Sequence, residues 1–288
     1  FGSSASDQAP PFGCTGSEVA MEVSYRFPLS EVPRWRRHLE EEGYVVVANA
    51  LRPVEVDQGR DFLWTDLEDA YKVSRSNLES WNAWPLSRAG LNTKVTQDRG
   101  AWYVRARPGV KETFSHIWST DQLIVSMDAL IIWRPWWLNS KWTPQTEGLH
   151  LDQNPFSKPG LETVQGMVPL LPVTPATGGL EVVARSHTAE AKDRLCRECP
   201  IHGGRVGTGQ VPEAQPDPEL ARLSVTVCMV PRARASEDVL QQRRAGFLKG
   251  VTFNHSPHEA GTSTGTLQTS SRKRHSLTEL DEDQLALL

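Results

Sequence analysis

Residues 147–156 read EGLHLDQNPF, and two of them, His150 and Asp152, carry side chains that could do chemistry together. One residue apart on an extended segment, they project from the same face. An imidazole and a carboxylate aimed at one point form two thirds of a ligand set for a divalent metal. A second imidazole from elsewhere in the chain would complete the two-histidine, one-carboxylate arrangement that holds ferrous iron and leaves three positions open. Those positions suit a bidentate 2-oxo acid and dioxygen. His-x-Asp recurs by chance, so its surroundings must carry the case. Four histidines follow Asp152 within plausible range, His187, His202, His255 and His258.

The elements that must position these groups can be read along the chain. Residues 1–20 are rich in Ser, Pro and Gly and read as a disordered segment. Ser30 can cap a helix that carries Pro33 in its first turn and ends at Gly43. YVVVA reads as a buried strand, and PVEVDQGRDFLWTDLEDAYK and PGVKETFSHIWSTDQ as helices. From Leu123 the pattern becomes β-branched and apolar. LIVSMDALIIWRP, TVQGMVPLLPV, GGLEVVARSH and RLSVTVCMVP read as strands separated by turns. ASEDVLQQRRAGFLKG reads as a late helix capped by Ser236 and closed by Gly250. From about Gly261 the chain turns polar, and 261–288 reads as a loose tail in which RKRH is a solvated charge run. Helices followed by short strands imply an α+β protein with a β core, as a single domain over 21–260.

Composition excludes several classes. The 288 residues carry 31 Lys+Arg against 35 Asp+Glu, so no broad basic field invites nucleic acid. No stretch approaches the ~20 apolar residues of a membrane-spanning helix. Four cysteines are too few for a disulfide framework and point to a reducing, intracellular, cytoplasmic setting. The chain starts without Met, so it reads as a fragment from which a targeting sequence could have been lost. Most of its ten tryptophans fall between 81 and 142, as an aromatic core or a pocket wall.

GLHLDQNP, VQGMVPLLPVTPATGGLEVVARSH, RLSVTVCMVPRARAS and the upstream AWYVRARPGVKETFSHIWSTDQLIVSMDALIIWRP together resemble the phytanoyl-CoA dioxygenase family of iron(II)/2-oxoglutarate oxygenases, over roughly residues 30–260. The resemblance implies a double-stranded β-helix (jelly-roll, cupin-like) core with flanking helices. It implies iron held by His150, Asp152 and a distal histidine. It also implies 2-oxoglutarate as co-substrate, dioxygen as oxidant, and a small organic molecule that is hydroxylated. The family's chain order, with the distal histidine ahead of a carboxylate-binding arginine, selects His202 and Arg222. A guanidinium fork matches a carboxylate in a bidentate pair, and Ser224, two residues on, can add a hydroxyl. A small residue at 152 would free a site for halide, so Asp152 favours hydroxylation. Gln153, Asn154, Gln165, Trp102, Tyr103 and Arg105 are further candidates for the mouth or lining of the site.

The chain also departs from the pattern. The family's apolar strand before the distal histidine is replaced by DRLCRECPIH, and only 14 residues separate His187 from His202. This motivates a second reading, a catalytically degenerate relative that binds without oxidising. A cupin-like metal enzyme that uses no 2-oxoglutarate is a third. Cys196, Cys199 and His202 also have zinc-ligand spacing, although no fourth ligand is evident.

Overall fold

A computed structural model describes residues 25–85, 90–144, 150–155, 157–174, 177–198, 219–259 and 274–288. The N-terminal segment 1–20, the candidate ligand His202 and the tail residues 261–273 lie outside the described residues.

The first half is helical. Strand β1 (Arg26–Pro28) pairs in parallel with β2 (Val46–Ala48), and helix α1 (Val32–Glu42) connects them. Pro at its start favours α1, but its cap position is Glu31 rather than Ser30, and no side chain caps it. Gly43, at φ 81°, ends α1 as the sequence predicts, its N–H donating to the Leu39 carbonyl. Helix α2 (Pro53–Tyr71) begins where the Glu55 carboxylate accepts from the Arg52 backbone N–H at 2.8 Å. A short strand β3 (Leu91–Asn92), helix α3 (Arg99–Arg105) and helix α4 (Pro108–Trp118) follow.

The second half supplies a curled antiparallel sheet flanked by helices. Its central strand is β7 (Arg222–Pro231). On one side lie β4 (Leu123–Val125) and β5 (Leu130–Trp133), with β3 outside β5; on the other lies β6 (Gln165–Pro169). Helix α5 (Ala189–Glu198) precedes β7, and α6 (Glu237–Lys249) follows it. Ser236 caps α6 by accepting from the Val239 N–H, and Gly250 closes it, both as predicted. Residues 274–288, read from the sequence as part of a loose tail, instead form a short 3-10 turn and helix α7 (Glu282–Leu287). They are held because Leu287 and Leu288 are buried and Arg243 donates to their carbonyls.

Alternation along β7 separates two functions. Leu223, Val225, Val227 and Met229 are at most 1% exposed and face a core built with Leu63, Leu67, Trp102, Val104 and Phe247. Each such side chain contributes about 1.5–3 kcal/mol by leaving water. Arg222, Ser224, Thr226 and Cys228 occupy the other face, together with Gln165, Met167 and Trp133 by register. Most tryptophans serve the core, as Trp64, Trp81 and Trp142 do in a chain of ring contacts.

The predicted strand GGLEVVARSH does not form. Residues 178–188 are turns and irregular backbone, with Leu180 70% exposed and Val183 56% exposed. A strand needs a neighbour to satisfy its backbone, and among the described residues β6 pairs with β7 alone. The segment instead docks on α1. Arg185 forms a bidentate pair with Glu42, and the His187 ring bonds the Glu40 carbonyl at 2.9 Å.

Candidate active site

His150 and Asp152 lie on irregular backbone rather than a strand, so alternation does not bring them together. Direct contact does: His150 Nε2 stands 3.2 Å from Asp152 Oδ1. The other carboxylate oxygen, Oδ2, accepts from Gln165 Nε2 at 2.6 Å. Gln165 opens β6, so the sheet orients the carboxylate. Gln153 and Asn154, candidates for the mouth of the site, shape the turn that follows. Gln153 donates to the Lys158 and Gly160 carbonyls, and the Asn154 carbonyl accepts from the Lys158 N–H. That turn is tied to the late segment by the Lys158–Glu259 ion pair and by His258 Nε2, 3.3 Å from a Glu162 carboxylate oxygen.

Asp128, half-buried between β4 and β5, feels the Asp152 charge. Burial raises the Asp128 carboxyl above its ordinary value; the Ala129 N–H, His255 and Arg105 oppose the shift, and the Asp152 charge adds to it. His255 is thus electrostatically coupled to Asp128, which in turn feels Asp152. The segment carrying His255 runs beside Asp128 because the Phe253 N–H donates to the Met127 carbonyl at 3.0 Å. Cys228, the β7 partner of Gln165, has its thiol pushed up to about 12 by burial, with the Asp128 and Asp152 charges adding. Its Sγ lies 3.2 Å from the Val164 carbonyl oxygen.

Arg222 and Ser224 begin β7 on the same face. The Arg222 guanidinium is 4.8 Å from the centre of the Trp133 ring, and its Nη2 is 2.9 Å from Met167 Sδ. Met167 pairs with Thr226, so the arginine leans along the face toward Gln165. Gln165 and Met167 are two residues apart on β6, roughly 7 Å on one face. One touches the Asp152 carboxylate and the other the Arg222 guanidinium.

Arg222 Nε and Ser224 Oγ are buried and have no hydrogen-bond partner among the described residues. Burial lowers the Arg222 pKa from its ordinary value. Leaving such groups unsatisfied costs about 1–3 kcal/mol each. An anionic oxygen ligand would satisfy both, so these residues fit the far carboxylate of a diacid. His150 and Asp152 fit a metal as two ligands. Among the described residues no group of three or more His, Cys, Asp or Glu is arranged to hold a metal ion.

Three residues named as possible pocket lining lie elsewhere. Trp102 and Arg105 are in the core behind the sheet, at most 1% exposed, with Arg105 donating to the Thr96 and Asp128 carbonyls. The Tyr103 ring packs on Phe62 and the Arg107 guanidinium. Met167, Trp133 and Asp128 carry no motif signal of their own. The alternation in VQGMVP puts Met167 on the face of Gln165, but only the strand register shows what stands opposite.

The family described as phytanoyl-CoA dioxygenase (PhyH) matches residues 39–211, a range that holds His150, Asp152 and His202 and stops short of Arg222. A curated relative, Ava biosynthesis cluster protein O of Aspergillus versicolor, is 32% identical over 170 residues, covering 57% of this chain and 53% of the relative. The chain thus spans about half the length of the curated relative it matches. No solved structure matches. No helix among the described residues is long and apolar enough to cross a membrane. With the family match covering more than half of its length, the chain belongs to the phytanoyl-CoA dioxygenase family.

Proposed function

We propose that this protein is an iron(II)- and 2-oxoglutarate-dependent dioxygenase that hydroxylates a small organic substrate. The observation that carries the reading is the spacing on β6: the Asp152 carboxylate and the Arg222 guanidinium attach to side chains roughly 7 Å apart on one face. That placement, a carboxylate toward one end and a guanidinium toward the other, is in keeping with a diacid chelated at one end and gripped at the other.

His150 and Asp152 hold the metal in this reading, and His202, outside the described residues, completes the set by the family's chain order. Gln165 fixes which Asp152 oxygen faces the metal. Arg222 and Ser224 donate to the far carboxylate. When bound, ferrous iron with 2-oxoglutarate and dioxygen supplies the oxidant that hydroxylates a C–H bond, with succinate and carbon dioxide as co-products. The chain supplies position and charge. The curled sheet is one wall of a double-stranded β-helix, within a single domain that takes in residues 274–288. The relative's printed name places it in a biosynthesis cluster, which is in keeping with a small-metabolite substrate.

The test is succinate formation from 2-oxoglutarate with added ferrous iron. Wild type turns over, Asp152→Ala does not, and His150→Ala loses bound iron. Equal slow turnover by wild type and Asp152→Ala would reject catalysis. The degenerate binding-protein reading is favoured by the short 188–201 connection and by the 180–183 segment, which joins no sheet among the described residues; absence of bound metal at any loading would select it. Full activity in Arg222→Leu would select a metal enzyme that uses no 2-oxoglutarate.

A further inference from the structure

We infer that Trp133 is a positioning residue that sets the affinity of this site for the far carboxylate of a 2-oxo diacid, by fixing the plane of the Arg222 guanidinium. The inference rests on the co-substrate reading above and assigns to it a residue outside the metal and carboxylate ligands.

Trp133 and Arg222 are directly paired across β5 and β7. Their side chains therefore leave the sheet side by side. The guanidinium lies 4.8 Å from the ring centre, close enough for the ring's negative face to attract it. Trp133 is 8% exposed and Arg222 6% exposed, so water screens the contact little. A guanidinium is a planar fork, and a stacked ring fixes its tilt while leaving the in-plane N–H groups to donate. Met167 Sδ occupies Nη2 at 2.9 Å. The buried Nε is left over, with the buried Ser224 Oγ two residues along the same face.

The indole is itself pinned. A Cβ on Gly90 would stand 2.1 Å from Trp133 Cδ1, and one on Gly178 would stand 3.0 Å from Cζ3. Both glycines have positive φ, +71° and +74°, so a side chain at either is strained as well as crowded. The ring is thus wedged by backbone near both of its ends. Trp136 meets it edge-on, with ring centres 5.9 Å apart. A rigid ring under a long flexible cation reduces the freedom the cation must lose on binding, which is how preorganisation raises affinity.

The experiment measures dissociation constants for 2-oxoglutarate and for pyruvate on the full chain loaded with Mn(II), a redox-inert stand-in for iron. Pyruvate presents the same 2-oxo acid end but has no far carboxylate. Trp133→Leu is expected to weaken 2-oxoglutarate about tenfold and leave pyruvate unchanged. Trp133→Phe, which keeps a ring, stays within about threefold of wild type. Trp133→Leu adds nothing further when Arg222 is already Leu, as expected for residues acting as a unit. Should Trp133→Leu not fold, the volume-conserving Met167→Leu carries the test, with a selective loss of 2-oxoglutarate affinity of about threefold. Equal loss for both acids, or no loss for either, overturns the inference. Wild type that binds pyruvate but gains nothing from the second carboxylate overturns the co-substrate reading itself and the inference with it.

Discussion

The Asp152 carboxylate is divided between two neighbours. One oxygen meets His150 and the other accepts from Gln165 at 2.6 Å. Groups that orient a metal ligand from behind typically contribute 10–100-fold in metal affinity. Gln165→Ala is therefore expected to weaken Mn(II) binding by roughly that factor while the protein stays folded, as isothermal titration with unfolding controls would show. Retained affinity in this variant would mean that the contact does not orient the ligand. Sequence alone made His150 and Asp152 visible, because their types and spacing are local. Strand alternation was one way to aim the two together; the structure has irregular backbone and a direct side-chain contact instead. The role of Gln165 was legible only as an inward polar candidate, since its partner lies 13 residues earlier and is brought in by a turn.

At the scale of elements, most of the chain announced itself. Proline at helix starts, Gly43 and Gly250 at helix ends, Ser236 as a cap and the apolar runs of β5 and β7 all carry local physical signals that the fold obeys. Ser236→Ala should cost about 1 kcal/mol in urea unfolding, the usual worth of an N-cap. Arg105 illustrates what local signals miss. Its charge suggested a site, yet the side chain is fully buried behind the sheet and donates to the Thr96 and Asp128 carbonyls at 2.8 Å each. Arg105→Met would orphan two buried acceptors at about 1–3 kcal/mol apiece. The expected result is a lower unfolding midpoint, with the loss of metal affinity confined to whatever the Asp128 loop transmits. The failed strand at GGLEVVARSH has the opposite lesson: β propensity was present, but pairing is a property of neighbours that a single segment cannot supply.

Over the whole molecule, one curled sheet divides labour between its faces. The side packed on α3 and α4 stabilises the fold, and the side carrying Gln165, Met167, Arg222 and Ser224 is available for chemistry. Residues 274–288 extend the packed side, which composition concealed because their charges surround a few decisive apolar residues, Leu280, Leu287 and Leu288. The docked 178–188 segment has a consequence for handling the protein. Its Leu180, Val182 and Val183 lie at the surface with backbone free of any ladder, in a stretch that favours extended conformations. Such stretches recruit one another between molecules. Gentle heating of concentrated solutions should therefore raise light scattering before the global transition, and a gatekeeper charge introduced by Val182→Lys should delay the turbidity without shifting the melting temperature.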